Sequence, residues 1–169
     1  MISEVLNMDE VDRQIIQIIQ EKPHLTHTQI AEKVNRSQPT VGMRIRKLEE
    51  MGVLQFQAGI NIKATDMYLA RVEIQSNSPE EIFKIAKSCP FIFNCFRISG
   101  DFNFSLFVMG FSIKEIEDTV NYHFRNNQLV NKLLIEIITN VLNDFVVPIK
   151  FNLNTCECDA SKGHKSNIE

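Results

Sequence analysis

The sequence lacks the features that mark membrane-spanning, secreted and many catalytic proteins. No run of about 18 or more apolar, uncharged residues occurs, so we expect no membrane-spanning segment and no membrane partner. The segment Met1–Asp12 carries acidic groups before any basic one and has no apolar core of the kind a secretory signal needs, which predicts a cytoplasmic protein. No Ser/His/Asp arrangement, phosphate-binding loop or dinucleotide-binding glycine pattern occurs, so the sequence predicts no enzyme.

The sequence also lacks an excess of basic residues, although it contains one basic segment. The formal net charge is −3 and the isoelectric point is about 5.8, which by themselves give no indication of nucleic-acid binding. All charged residues from Lys33 to Lys47 are nevertheless basic. Because salt screens charges beyond roughly 8–10 Å, acidic groups elsewhere do not prevent such a surface from binding phosphates.

Cysteine is scarce, and a cytosolic chain of this size needs no disulfide framework. Cys156 and Cys158 are separated by one residue and His164 follows, so these side chains are candidates for binding a soft metal such as zinc or iron, or for a thiol redox couple. A closed zinc site needs four ligands. Cys89 and Cys95 would complete one only if the tail folds back or two subunits contribute. Cys95 alternates with apolar residues of a predicted strand, which favours a small buried side chain.

Three short helices with capping signals are predicted in the first third of the chain. Asp9, Thr26 and Ser37 each precede a segment with apolar residues at helical spacing, and their short side chains can accept hydrogen bonds from first-turn amides. Asn35–Arg36 suits the tight turn between the second and third helices, and Gly52 suits the end of the third. Three helices with a tight connection of this kind predict a helix-turn-helix module.

The domain boundaries follow from these segments. We predict a DNA-binding domain over residues 1–60, a second domain over 61–153 and a flexible, cysteine-containing tail over 154–169. The segments Val53–Ala58 and Ile60–Ile62, which Gly59 separates, are predicted to form a small wing or linker strands.

The second domain alternates between strand and helix patterns. Its order is β-α-β-β-α-β, which predicts an α+β fold with a ferredoxin-like domain. Both helices should lie on one sheet face, and a second copy of the sheet is the simplest cover for the other face, which predicts a homodimer. The predicted segments are a strand at Tyr68–Gln75, a helix from Ser78–Pro79, strands at Phe91–Ser99 and Phe102–Met109 joined by a tight turn at Gly100–Asp101, a helix after Ser112, and a fourth strand within Leu133–Phe151.

Four segments resemble the Lrp/AsnC family of transcription regulators, and the resemblance covers roughly residues 8 to 150. They are Asp9–Ile16, Ile30–Val34, Ser37–Leu54 and Ile98–Asn103. The resemblance implies a winged helix-turn-helix joined to a ligand-sensing αβ domain, in a dimer that often assembles into tetramers or octamers. It also implies regulation by an amino acid or a related small molecule. The family usually has an acidic residue where this chain has Asn103.

The third helix carries the predicted contacts to double-stranded DNA. Gln38 can pair with adenine, Thr40 can contact thymine, and Arg46 can pair with guanine. Phosphate contacts are expected from Arg36, Ser37, Arg44 and Lys47, while the remaining exposed positions offer little hydrogen bonding and favour recognition of DNA shape. The alternative is a solvated basic face. The predicted DNA-binding residues are Arg36, Ser37, Gln38, Pro39, Thr40, Met43, Arg44, Arg46 and Lys47.

The glycine turn of the second domain has two interpretations. Backbone amides around such a turn can hold the carboxylate of an effector, or the turn only joins two strands. The predicted effector-binding residues are Ser99, Gly100, Asp101, Phe102 and Asn103.

Two other functions stay open at this point. One is an enzyme on the same scaffold resembling the sirohaem decarboxylases, although Ile98–Leu106 has no histidine or tyrosine of the kind those enzymes carry. The other is a protein that only modulates its partners by hetero-assembly, which loss of basic residues from the third helix would favour. Those residues are retained here.

Overall fold

The computed structural model describes residues 8–150 and Cys158. These residues divide into two compact units between Gln57 and Ala58. The first unit consists of helices, and the second combines helices with a sheet. Across the described residues, no helix combines the length and the apolar character that crossing a membrane requires.

The first unit contains the three predicted helices, each started by a side-chain cap. The Asp9 carboxylate accepts from the Asp12 amide at 2.9 Å, and the Thr26 hydroxyl accepts from the Gln29 amide at 3.3 Å. These bonds satisfy amides that have no partner within their own helix. The helices are α1 (Glu10–Glu21), α2 (His27–Val34) and α3 (Gln38–Glu50).

The connection between α2 and α3 is short because Asn35 adopts a left-handed conformation, with φ 50° and ψ 54°. Asparagine tolerates this region better than most residues. At the other end of α3, Gly52 has a φ of 68°, and the Val53 amide donates to the Leu48 carbonyl at 3.0 Å. The predicted turn and helix end are therefore confirmed. Residues 53–58 form no strand, so the expected wing is absent from the described part of this unit.

One face of each helix in the first unit packs into a common core. Fully burying an aliphatic side chain contributes roughly 1.5–3 kcal/mol, so these contacts hold the three helices together. The buried apolar residues are Ile15, Ile19, Ile30, Ala31, Val34, Val41, Ile45, Leu48 and Leu54.

The second unit has the predicted β-α-β-β-α-β order around a four-stranded antiparallel sheet. Its strands are β2 (Tyr68–Ser76), β3 (Ile92–Arg97), β4 (Phe104–Gly110) and β5 (Val130–Ile138). They lie in the order β3-β4-β2-β5, which is the ferredoxin-like arrangement. This confirms the predicted fold class. The elements are β1 (Ile60–Asn61), β2 (Tyr68–Ser76), α4 (Pro79–Ser88), β3 (Ile92–Arg97), β4 (Phe104–Gly110), α5 (Ile113–Val120), β5 (Val130–Ile138) and β6 (Val146–Val147). A short 3-10 helix, Ile62–Ala64, follows β1, and a π-helical turn, Asn121–Arg125, follows α5.

The sheet face under α4 and α5 is the main core of this unit. Register places Val72 of β2 opposite Leu106 of β4 on one side and Ile135 of β5 on the other. Ile82 from α4 and Ile116 from α5 are fully buried against this face. Alternation of buried and less buried residues along β2 thus matches the period of a strand with one covered face.

The opposite sheet face is covered only in part, and the cover comes from the same chain. The strand Ile60–Asn61 pairs with Val146–Val147, not with the first unit, so it does not belong to a wing. Ile62 and Val147 form a small core with Leu69 and Met109. A residue with a side chain at Gly59 would place its Cβ 2.5 Å from the Val147 carbonyl oxygen, so this pairing requires glycine.

The remainder of this face is open and contains apolar and charged side chains. Phe96 is 43% exposed and Leu134 is 41% exposed. On the same face, Arg71 of β2 donates to Glu136 of β5 at 2.6 Å. We call the face formed by Arg71, Phe96, Phe107, Leu134 and Glu136 the open sheet face.

Candidate functional site

The first turn of α3 is anchored by Ser37. Its hydroxyl accepts from the Thr40 amide at 3.4 Å and lies 2.7 Å from the Thr40 hydroxyl. Pro39 sits in this first turn, where the absence of its amide hydrogen costs nothing. Gln38 and Pro39 are both exposed, so the helix presents its leading residues to solvent.

Further along the helix, an exposed methionine and two exposed basic residues share the solvent side. Met43 is 66% exposed, so its apolar side chain is accessible to an external partner. Arg46 and Lys47 are exposed as well, and within residues 8–150 neither forms an ion pair. Their charges are therefore available to an external anion.

Arg44 differs from these residues because two acidic groups of the same unit already bind it. One Nη atom donates to Asp12 Oδ1 at 2.7 Å and to Asp9 Oδ2 at 2.8 Å. The hydrogen bond that Arg44 donates to Asp12 is the main reason that the pKa of Arg44 is raised. The Asp12 amide, followed by the Arg44 guanidinium, lowers the pKa of the Asp9 carboxyl. The arrangement fastens α3 to the beginning of α1, and it involves residues that the sequence did not connect.

Two more positions near the turn have specific surroundings. Arg36 is exposed and donates to the Asn35 carbonyl at 2.8 Å, so it lies beside the start of α3. A Cβ at Gly42 would lie 3.3 Å from Nδ1 of His27, so Gly42 contacts α2 closely. Gly42 therefore contributes to helix packing more than to the solvent face.

Most of the predicted DNA-contacting residues are exposed along the solvent side of α3 or beside its start. We call this surface the α3 face and define it by Arg36, Gln38, Pro39, Met43, Arg46 and Lys47, all of which are exposed. Thr40 is half-buried and, with Ser37, belongs to the cap. DNA contact by these residues stays a prediction.

In the second unit, the predicted glycine turn is a six-residue loop between β3 and β4. The Ile98 amide closes this loop by donating to the Asn103 carbonyl at 3.0 Å. The tight two-residue turn expected at Gly100–Asp101 was therefore wrong, because pairing of β4 with β3 stops at Phe104. Gly100 has a φ of 131°, a conformation that residues with side chains rarely adopt.

The side chain of Asn103 is engaged within the protein. Its amide nitrogen donates to the Ser76 carbonyl at 2.7 Å, and its oxygen accepts from the Ser76 amide at 2.9 Å. Asn103 therefore closes the end of β2 as another strand would. A carboxylate here would place an oxygen against the Ser76 carbonyl, so asparagine fits this pairing and aspartate does not. Asp101 remains available on the loop, with its side chain 89% exposed and 3.9 Å from Lys132.

An apolar cavity of about 500 Å³ lies in the second unit beside the ends of β1, β3 and β4. Met67, Phe91 and Met109 are among the residues that line it. A cavity of this size and character can accept a small apolar ligand. The sequence did not predict it, because its walls come from segments far apart in the chain.

Three residues with metal-binding side chains meet in the second unit. The ligand atoms of Cys89, His123 and Cys158 all lie within 4.8 Å of one another. The sequence proposed Cys158 together with Cys156 and His164, and the last two lie outside the described residues. The cluster includes Cys89, which the sequence offered as a further ligand if the tail folds back. It also includes His123, which the sequence did not indicate as a ligand because it lies far from Cys158 in the chain.

Comparisons with known proteins agree on one family. Residues 8–55 match the family described as winged helix-turn-helix DNA-binding. The chain is 30% identical over 98 residues to the HTH-type transcriptional regulator LrpA of Pyrococcus horikoshii, an alignment covering 56% of this chain and 70% of that protein.

Solved structures show the same fold. The structure of AsnC from Escherichia coli is similar with a TM-score of 0.70 and 16% identity, covering 82% of this chain and 97% of that one. The complex of the transcriptional regulator NMB0573 from Neisseria meningitidis with L-Met is similar with a TM-score of 0.67 and 19% identity, covering 83% of this chain and 96% of that one.

Proposed function

The chain belongs to the Lrp/AsnC family of helix-turn-helix transcriptional regulators, and we propose that it acts by inserting α3 into the major groove of double-stranded DNA. The observation that carries this proposal is the α3 face. It combines exposed groups that can read base edges with basic groups that form no ion pair within residues 8–150.

We assign different roles to the residues of α3. Gln38 and Arg46 have the hydrogen-bonding geometry for adenine and guanine, and Met43 offers an apolar contact to the thymine methyl group. Arg36, Ser37 and Lys47 are assigned to phosphates. Arg44 is assigned a positioning role, because its guanidinium is bound to Asp9 and Asp12.

Binding of duplex DNA is tested by fluorescence anisotropy with a labelled duplex library over a range of salt concentrations. Lys47→Ala should weaken binding to all sequences and lower the slope of log K against log salt by about 1, because one phosphate contact is lost. Arg46→Ala should relax selection at a guanine, a loss of about 1–3 kcal/mol at that base pair.

The matched control is Lys84→Ala, which removes the same charge from an exposed position on α4 in the second unit. It should leave both affinity and salt slope close to those of the wild type. If Arg46→Ala and Lys47→Ala bind like Lys84→Ala, α3 is not the DNA-contacting element and the proposal fails.

We further propose that the protein is a homodimer, with tetramers or octamers as higher assemblies, formed through the open sheet face. Arg71 is paired within one chain with Glu136 at 2.6 Å and with Glu73 at 3.6 Å, so the arginine keeps its partners when this face is covered. Phe96 and Leu134 supply apolar area at its two sides. A dimer would present two copies of α3 to the two halves of a palindromic site.

An amino acid is the proposed effector, in keeping with the L-Met complex of the regulator from Neisseria meningitidis. The predicted site is the loop Ser99–Asn103. Within this loop, the side-chain amide of Asn103 already forms two hydrogen bonds with the backbone of Ser76. The anisotropy measurement repeated with L-Met should show a change in DNA affinity that Asp101→Ala removes. Loss of the response in Met67→Trp instead would locate the effector in the apolar cavity.

A role without catalysis is part of this proposal, because the relatives are named as transcriptional regulators. The alternative of a decarboxylase acting on a tetrapyrrole is tested by spectral titration, in which tight tetrapyrrole binding would support the enzyme.

The cytoplasmic location stays a prediction.

A further inference from the structure

The cluster of Cys89, His123 and Cys158 joins three separate parts of the second unit. Cys89 follows the last residue of α4, and His123 lies in the π-helical turn after α5. Cys158 is fully buried in the main core of the unit, as is Cys89. Single π-helical turns are rare and often occur at functional sites.

We propose that these three residues bind a zinc ion. Two thiolates and an imidazole are the donor types that zinc prefers, and it takes four donors in a tetrahedron. Bond lengths of about 2.0–2.3 Å put zinc ligands roughly 3.5–3.8 Å apart, so donor atoms within 4.8 Å of one another need only a small contraction. The fourth position is left for water or another donor.

A separate contact places Lys150, three residues after β6, beside this cluster. The Lys150 ammonium donates to the Lys87 carbonyl at 2.9 Å, two residues before Cys89. Lys150 therefore lies at the end of α4, and Cys158 is buried close to the same helix end. An ion held there would tie Cys158 to the helix layer of the second unit.

Cys95 is a third described cysteine of the same unit, and burial raises the pKa of its thiol to about 11. It is half-buried beside the main core and is not part of the cluster. This position makes Cys95 the control for a cysteine replacement.

The test is a metal titration of the full chain after reduction and removal of metal with a chelator. Cobalt(II) serves as a coloured probe. One equivalent should bind with thiolate charge-transfer absorption and the visible bands of a tetrahedral site, and one equivalent of zinc should displace it. Cys89→Ser and Cys158→Ser should each weaken binding at least ~100-fold, since even groups that only support a ligand are worth 10–100-fold.

His123→Ala should weaken cobalt binding similarly, yet keep the thiolate absorption per bound cobalt. His123 is only half-buried, so we expect this variant to fold. It still tests the site if circular dichroism shows that Cys89→Ser is unfolded. Cys95→Ser and His164→Ala should bind cobalt like the wild type. The proposal is overturned by a reduced wild type that binds no stoichiometric metal. Loss of binding in His164→Ala but not in His123→Ala would likewise overturn it, in favour of a site confined to the tail.

Discussion

The guanidinium of Arg44 links α3 to the start of α1 through two carboxylates, of which Asp12 is nearly buried and Asp9 half exposed. Since Asp12 is only 8% exposed as a side chain, removing Arg44 would leave a buried charge without its main partner. Loss of Arg44 therefore acts first on the packing of the DNA-binding unit. A gel-shift defect in such a variant would not by itself prove a contact to phosphate.

Asp9→Asn separates the charge of this residue from its role as a cap, because asparagine caps helices as well as aspartate does. The pKa of Asp9 is lowered in the fold, so its ionised form adds stability above its ordinary pKa of 3.8, and this stability is lost as the pH falls through the lower folded value. We expect the variant to be less stable than the wild type by up to about 1 kcal/mol at pH 7.

Urea denaturation at pH 7 and below pH 4 measures this difference. The two proteins should converge at low pH, because the wild-type carboxyl then also lacks its charge. Asp101→Asn, at an exposed loop position, is the control and should change little. An offset between Asp9→Asn and wild type that stays constant with pH would contradict the assignment.

Among the elements, α3 depends on its cap for its start and on Gly52 for its end. Ser37→Ala removes the hydroxyl that accepts from the Thr40 amide, and we expect a loss of about 1 kcal/mol in the free energy of unfolding. Thermal unfolding followed by circular dichroism should show a Tm lowered by roughly 4–8 °C per kcal/mol for a unit of this size.

Ser78→Ala is a matched control for this change. Ser78 stands at the corresponding position before α4, but its side chain makes no cap hydrogen bond. Ser78→Ala should therefore lower the free energy of unfolding much less than Ser37→Ala does. Equal losses at Ser37 and Ser78 would mean that the cap of α3 contributes little.

At the scale of the whole molecule, the open sheet face decides how many copies of α3 are presented to DNA. Leu134→Lys replaces apolar area of the proposed dimer interface on β5 with an ammonium group that loses its hydration when the face is covered. We expect the dimer to dissociate to a monomer in sedimentation velocity measurements. DNA affinity should fall as well, since two half-sites are no longer bound together.

The control for this prediction lies on the other layer of the unit. Ile113→Lys introduces the same side chain at an apolar position of similar exposure, at the start of α5 on the helix-covered side. This variant should keep the wild-type mass. A Leu134→Lys protein that remains dimeric would place the interface elsewhere.

The elements and their order were predictable from the sequence because the signals that define them are local. Each helix cap accepts a hydrogen bond from an amide three residues later, as Asp9, Thr26 and Ser37 do. The alternation of apolar and polar residues along β2 likewise indicates which sheet face is covered. The candidate DNA-contacting residues were likewise recognisable from their positions along one helix. The sequence left open whether Val53–Ala58 and Ile60–Ile62 form a wing or linker strands, because no local signal states which partner a short strand takes. Of these residues only Ile60–Asn61 form a strand, and it pairs with Val146–Val147.

What the sequence by itself determined is thus each element's start, end and apolar face, since capping and periodicity operate over one or two helical turns or strand repeats. Only the tertiary structure decided which distant groups meet. Arg44 reaches acidic groups 32 and 35 positions away, and Asn103 binds the backbone of Ser76, 27 positions away. Cys89, His123 and Cys158 likewise form a cluster although they are far apart in the chain. Such contacts depend on how the packed layers bring separate segments together, which residue spacing along the chain does not encode.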